Sequence, residues 1–176
     1  MLVQDAHNGL RCGFLPVPTP PPSCGGSYFI RNPLGRLAGV FKPLDEEAYA
    51  AANPAGFTYT STNKSHSPGL GLRAGIPPGE AGIREAAAFV LDSSAGPGLA
   101  AGVPPTVLAR LRCPARWGPL AKPGSLQLYA PHVGSADDFG PGMFDVGDAH
   151  RIMLLDLRIL NQVRFPVCVS VCVPTS

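Results

Sequence analysis

The sequence predicts a mixed α/β (α+β) fold in which short strands and helices follow one another along the chain. Residues 25–47, GGSYFIRNPLGRLAGVFKPLDEE, contain two extended segments joined by an Asn-Pro-Leu-Gly turn at 32–35. Residues 79–92 have apolar side chains at helical spacing. Residues 103–111 and 125–130 have the composition of two further strands.

Composition limits the classes of function. The 176 residues are 45% hydrophobic with a formal net charge of +2, so the chain can bury one modest core and is not expected to bind nucleic acid. No segment suits a transmembrane helix or a secretory signal, which favours a cytoplasmic protein or one peripheral to a membrane. The five cysteines lack paired metal-ligand spacing: Cys12, Cys24, Cys113, Cys168 and Cys172. A zinc site formed by Cys168, Cys172 and His150 is disfavoured, because structural zinc usually has four ligands.

Two segments have the composition of irregular chain. Residues 1–23 end in PVPTPPPS and are expected to form a Pro-rich disordered leader; docking of this polyproline segment in an aromatic groove is the alternative. Residues 48–76 are rich in Asn, Ser, Thr, Gly and Pro and are expected to form a loop or an insertion. Its basic residues Lys64, His66 and Arg73 either face an anionic membrane or are simply solvated.

The residues at 25–42 form a candidate phosphate site. Gly25, Gly26 and Ser27 let the backbone approach a phosphate without a side chain in the way. The second strand of the hairpin, residues 37–41, then places Lys42 beneath this turn, where an ammonium group can neutralise phosphate oxygens. Glycine-rich hairpins followed by a lysine also occur in proteins that bind no nucleotide, so the pattern needs support from elsewhere in the chain.

Two helices are expected. The first begins after Pro78 and runs over 79–92, with Glu85 on a different face from its apolar stripe of Ile83, Ala87, Val90 and Leu91. The second is capped by Asp148, starts near Ala149 and is apolar almost all round as far as Leu160, which predicts a buried helix. Trp117 is expected in the loop between the two later strands.

Several of these segments together resemble the catalytic family of phosphatidylinositol 3-/4-kinases, and in particular the type II and plant-type gamma phosphatidylinositol 4-kinases. The resemblance covers residues 24–162 and implies a partial catalytic domain: a protein-kinase-like small lobe, a hinge and the first helix of a large lobe. The matching segments are GSYF at 26–29, FKP at 41–43, DEE at 45–47, NP at 53–54, GIPPGEAGIREAAAFVLD from 75, VPPTVL from 103, GSLQLYAPH from 124 and HRIMLLDLRILN from 150.

The resemblance also implies roles for individual residues. Lys42 would hold the phosphates of ATP, Gly25 to Ser27 would cover them, and Glu85 would pair with Lys42, as a helical glutamate does in kinase small lobes. Glu47 competes for this last role, because it follows Lys42 closely in the shared acidic cluster. The adenine edge would lie along four consecutive residues: Gln127, Leu128, Tyr129 and Ala130.

The chain departs from the family pattern at the catalytic loop. Arg158, Asn161 and Arg164 are present, but Val163 stands where the resemblance places the catalytic aspartate, and no Asp or Asn follows. Neither a catalytic residue nor a Mg²⁺ ligand can therefore be assigned, although the complete family domain needs Mg²⁺. Residues 163–176 alternate Val with Cys or Ser, which suggests intron read-through; a two-sided apolar strand at 167–173 is the alternative.

The predicted function is ATP-dependent phosphoryl transfer to the inositol headgroup, with this chain inactive by itself. Its expected partners are ATP and a phosphatidylinositol-containing membrane surface. Two alternatives remain open: an ATP-binding pseudokinase or scaffold, and a kinase that acts on protein serine or threonine. The oligomeric state is not predicted.

Overall fold

The structure is a computed structural model that describes residues 1–20, 24–56, 79–96, 98–132, 134 and 138–159. Several predictions lie outside these residues: Lys64, His66, Arg73, Pro78, Val163, Cys168, Cys172 and the tail at 163–176. The described chain is mixed α/β with a five-stranded antiparallel sheet. Its elements are α1 (Leu2–Arg11), β1 (Val17–Pro18), β2 (Tyr28–Arg31), β3 (Leu37–Pro43), α2 (Ala81–Ser93), β4 (Thr106–Leu111), α3 (Pro114–Trp117), β5 (Lys122–Leu128) and α4 (Val146–Arg158), with 3₁₀ turns at Leu44–Glu46 and Pro141–Met143.

The described residues divide into two compact units. The first comprises Met1–Ala86 and Pro105–Tyr129 and holds the whole sheet; the second comprises Ala87–Pro104 and Ala130–Ser176. None of the helices in the described ranges is long and apolar enough to cross a bilayer.

The sheet of the first unit has the strand order β1-β2-β3-β5-β4. The β2–β3 hairpin closes through the predicted turn, in which the Asn32 side chain accepts hydrogen bonds from the N–H groups of Leu34 and Arg36. Gly35 has a φ of 74°, a conformation that favours glycine. Five residue pairs join β3 to β5, and in one of them Lys42 lies opposite Ser125.

The two faces of the sheet differ in chemistry because successive side chains of a strand point to opposite sides. One face, here called the core face, carries the fully buried cluster of the unit: Tyr28, Ile30, Phe41, Leu111 and Leu126, with Ala6 of α1 packed against them. The opposite face, here called the site face, carries the alternate residues of β3 and β5, which include Lys42, Ser125 and Gln127.

The prediction of a disordered leader over 1–23 is wrong for its described part. Residues Leu2–Arg11 form α1, and Val17–Pro18 pair with β2. Ala6 is fully buried, and Leu2, Val3 and Leu10 pack against the core. These residues recur at helical spacing, and the apolar surface that they bury outweighs the proline-rich composition that follows them.

Helix α2 begins two residues later than predicted, and its expected apolar stripe is not the buried side. Ile83 and Val90 are 49% and 61% exposed, whereas Gly82 and Asp92 are buried. The helix approaches the sheet through glycine: a Cβ added to Gly82 would lie 2.5 Å from Leu44 Cδ2. Close backbone approach therefore replaces an apolar stripe in docking the first turn.

Helix α4 confirms the predicted helix but not its cap or its burial. Its N-cap is Asp145, whose side chain accepts from the Asp148 N–H, while Asp148 pairs with Arg151 in the first turn. Leu155 is 8% exposed, but three other apolar side chains of the last two turns are more than half exposed: Met153, Leu154 and Leu157. Trp117, expected in a loop, ends the short helix α3 and packs on the core.

Candidate functional site

Lys42 and Glu85 form an ion pair on the site face of the sheet. The Lys42 ammonium nitrogen lies 2.6 Å from Glu85 Oε1, and the two side chains are 29% and 30% exposed. Strand β3 supplies the lysine and the second turn of α2 supplies the glutamate, 43 residues further along the chain. The pair is therefore partly open to solvent, and an anionic ligand could reach the ammonium group.

A third side chain completes this arrangement. Ser125 Oγ donates to the second carboxylate oxygen, Glu85 Oε2, at 2.7 Å. Ser125 lies directly opposite Lys42 in the β3–β5 register and is 1% exposed. Each oxygen of the Glu85 carboxylate thus contacts one of these side chains, and the two come from adjacent strands of the sheet.

Glu47 has a different role from that of a partner to Lys42. Its carboxylate accepts three backbone hydrogen bonds at the start of α2: from Gly79 at 2.7 Å, from Ala81 at 3.1 Å and from Gly82 at 2.9 Å. The first N–H groups of a helix have no partner within it, and the helix dipole favours an anion there. Of the two glutamates considered as the partner of Lys42, the structure therefore pairs Glu85 and uses Glu47 as the anchor of its helix.

The glycine turn, residues Gly25 to Ser27, packs against the segment that follows β3. The Gly26 N–H donates to the Glu46 carbonyl at 2.9 Å, and a Cβ on Gly26 would collide with the Glu46 side chain. Asn53 fastens the same region, since its side-chain amide donates to the carbonyls of Cys24 at 2.8 Å and of Glu47 at 2.9 Å. The need for glycine at 26 therefore comes at least partly from packing on Glu46.

The glycine turn also lies next to Lys42 in the hairpin. Tyr28 and Phe41 form the last residue pair between β2 and β3. One residue beyond this pair are Ser27, just before β2, and Lys42 of β3, and both residues are half-buried. Alternation along the strands places these two positions on the site face.

The segment proposed for the adenine edge begins inside the sheet. Gln127 and Leu128 belong to β5 and pair with Val40 and Gly39 of β3. The Leu128 N–H donates to the Pro105 carbonyl at 2.8 Å, and the Tyr129 N–H donates to the Ala38 carbonyl at 3.0 Å. These two N–H groups are used by the fold. Ala130 falls in the second unit.

A separate polar network, centred on the buried carboxylate of Glu46, lies at the end of the core face. Glu46 accepts from the Tyr28 hydroxyl and from the Lys122 ammonium, both at 2.5 Å, and Lys122 also lies 2.9 Å from Asp45. Burial and the hydrogen bond to Glu46 raise the pKa of Tyr28, although Arg116 opposes this. Burial lowers the pKa of Lys122, but the hydrogen bonds to Glu46 and Asp45 outweigh burial and raise it overall.

Sequence reasoning missed Ser125, Asn53 and the anchoring role of Glu47. A signal for Ser125 was present, since a polar residue alternating with apolar ones in a central strand indicates a polar face. In the part of the chain that the structure describes, no three His, Cys, Asp or Glu side chains are grouped as candidate metal ligands.

The fold and this site define a mixed α/β protein with a lysine–glutamate–serine cluster on one face of an antiparallel sheet. No family model matches the sequence. Several plant proteins are similar to almost all of it. Phosphatidylinositol 4-kinase gamma 4 of Arabidopsis thaliana is 38% identical over 175 residues, which cover 93% of this chain and 30% of that protein.

The protein of the same name from Oryza sativa subsp. japonica is 37% identical, with 97% of this chain and 30% of that protein covered. Phosphatidylinositol 4-kinase gamma 7 of Arabidopsis thaliana is 33% identical, with 93% and 26% covered. The chain spans less than a third of the length of these relatives. It is therefore related to the plant proteins named phosphatidylinositol 4-kinase gamma, through one part of their length.

Proposed function

We propose that the first unit is a kinase-like small lobe and that Lys42 binds the phosphate groups of ATP. The observation that carries this proposal is the Lys42–Glu85 ion pair. In kinases a lysine on the third strand holds the nucleotide phosphates and is itself held by a helical glutamate. The strand order and the position of α2 between β3 and β4 support the same conclusion.

The glycine turn would cover the phosphates, and residues 127–130 would lie along the adenine edge. Since the N–H groups of Leu128 and Tyr129 are used by the fold, adenine would be bound there by other groups. The Gly26 N–H is likewise used, so the ammonium of Lys42 would be the principal phosphate contact. Among the described residues no three His, Cys, Asp or Glu side chains are grouped, so none of them is proposed as a Mg²⁺ ligand.

For the whole protein, the proposed activity is phosphoryl transfer from ATP to the inositol headgroup of a phosphatidylinositol at a membrane surface. The names of the similar plant proteins support this proposal. A second candidate is nucleotide binding without transfer, as in a pseudokinase. It is favoured by Val163, which replaces the aspartate that the resemblance implies.

The test is ATP binding by the purified chain, measured by isothermal titration calorimetry with and without Mg²⁺. Lys42→Met keeps the length of the side chain but removes its charge, and we expect it to weaken binding at least about tenfold, the loss of one charged hydrogen bond. Arg84→Met is the matched control. It removes one positive charge from an exposed position on α2 whose side chain contacts Glu80 at 3.4 Å.

Equal affinity of the Lys42→Met variant and the unsubstituted chain would contradict the proposed site. Phosphorylation of phosphatidylinositol vesicles by the full-length protein would distinguish the two candidates, because a pseudokinase binds ATP without producing a phosphorylated lipid. Phosphorylation of a protein serine or threonine substrate instead of the lipid would reject the lipid-kinase proposal.

A further inference from the structure

We infer that Ser125 is a positioning residue for Lys42, acting through Glu85. This inference deepens the proposed function and rests on it for its relevance to ATP. The geometry that carries it is the chain of contacts from Ser125 Oγ to Glu85 Oε2 and from Glu85 Oε1 to the Lys42 ammonium. The Ser125 hydroxyl donates to the Glu85 carboxylate, so its effect on the Lys42 ammonium passes through that carboxylate.

The carboxylate needs a second contact to have one orientation. A glutamate side chain has three rotatable bonds, and its terminal torsion is broad. With Lys42 alone, which is itself a long and mobile side chain, Glu85 could turn without losing the ion pair. The Ser125 hydroxyl fixes the other oxygen, and it can do so because Ser125 is buried in β5, an interior strand of the sheet.

The docking of α2 brings Glu85 within reach of this hydroxyl. Gly82, one turn before Glu85, lies beside β5: an added Cβ would be in van der Waals contact with Ser125, 3.4 Å from its nitrogen and 3.5 Å from its Cβ. Residues three apart in a helix lie on the same side, so Glu85 follows Gly82 toward the strand.

The test uses Ser125→Ala, with Tyr28→Phe as the matched control. Each substitution removes a buried hydroxyl of the sheet that donates a hydrogen bond to a carboxylate. Ser125 donates to Glu85 on the site face, whereas Tyr28 donates to Glu46 on the core face. The two variants should lose similar amounts of stability. Only Ser125→Ala should make the amine of Lys42 more accessible.

The first measurement needs no nucleotide. The intact chain is treated briefly with a limiting amine-acylating reagent, and the modification of Lys42 is quantified by peptide mass spectrometry. We expect Ser125→Ala to raise the modification rate at least about twofold, because a loosened ion pair leaves the amine more accessible. Tyr28→Phe should leave the rate unchanged. Ser125→Cys, which keeps nearly the same size but donates weakly, should give an intermediate rate.

The second measurement is ATP affinity by calorimetry. Ser125→Ala should weaken binding by about threefold to tenfold, and Tyr28→Phe should not. Lys42 modification at the same rate in Ser125→Ala, Ser125→Cys and the unsubstituted chain would overturn the inference, whatever the ATP result. If the unsubstituted chain bound no ATP while Ser125→Ala still changed the modification rate, the proposed function would fail and the positioning role would stand.

Discussion

Replacing Glu47 should detach the start of α2 and loosen the site that the helix completes. The Glu47 carboxylate accepts hydrogen bonds from the N–H groups of Gly79, Ala81 and Gly82. Loss of a helix cap costs about 0.5–2 kcal/mol, and loss of a charge at a helix N-terminus costs about 0.3–1 kcal/mol more. Glu47→Ala should therefore lower the free energy of unfolding by about 2 kcal/mol.

Glu47→Gln separates the two contributions. Glutamine keeps an oxygen that can accept hydrogen bonds but carries no charge, so we expect a loss of about 1 kcal/mol. The difference in the free energy of unfolding between the Glu47 protein and Glu47→Gln should become smaller in 1 M salt, because the Debye length is then about 3 Å and the charge is screened. The assay is urea unfolding followed by circular dichroism, together with hydrogen exchange of the α2 amides.

The control is Glu80→Ala at the same end of the helix. Glu80 is 43% exposed and its side chain forms an ion pair with Arg84 at 3.4 Å, so its removal should cost no more than about 0.5 kcal/mol. If Glu47→Ala were no more destabilising than Glu80→Ala, and if the α2 amides exchanged at unchanged rates, the anchoring role assigned to Glu47 would be refuted.

Two further predictions concern the core face. Gly9→Ala should lower the free energy of unfolding by about 1–3 kcal/mol, and with it the midpoint of thermal unfolding, because a Cβ there would overlap the Arg31 carbonyl oxygen. A stabilised variant would show that α1 does not dock on the sheet, since alanine is otherwise favoured over glycine in helices. The free energy of unfolding should fall at alkaline pH, because the pKa values of Tyr28 and Lys122 are raised in the folded protein. Their contribution to stability is complete below the ordinary pKa values of 10.0 and 10.5, and it is lost as the pH rises through the pKa values of the folded protein. Urea unfolding from pH 8 to pH 11 checks this, and Tyr28→Phe should give a shallower fall, whereas an unchanged slope would contradict the assigned network.

Local sequence signals predicted the parts of the fold that local chemistry determines. The Asn32 to Gly35 turn is an example, because asparagine and glycine at these positions satisfy the turn within a few residues. Helix α1 was missed because the nearby proline run dominated the composition, although Leu2, Val3, Ala6 and Leu10 have helical spacing. Its stability comes from packing on a sheet whose strands lie far along the chain.

The sequence predicted part of the site, namely that Lys42 pairs with a glutamate. The resemblance implied a pair between Lys42 and a glutamate, but sequence alone did not separate Glu85 from Glu47. The choice depends on where α2 begins relative to the turn after β3, and three backbone N–H groups determine it. Ser125 was missed for a related reason, because its partner lies 40 residues away and depends on the docking of the helix.

The alternation of Phe41 and Lys42 along β3 protects the sheet against misalignment. A slip of one residue between β3 and its neighbours would turn the ammonium of Lys42 into the apolar cluster and expose the Phe41 ring, which is fully buried in the native register. An isolated buried charge is far more costly than a misplaced apolar side chain. The residue that we propose binds phosphate therefore also disfavours the nearest wrong pairing of the strands during folding.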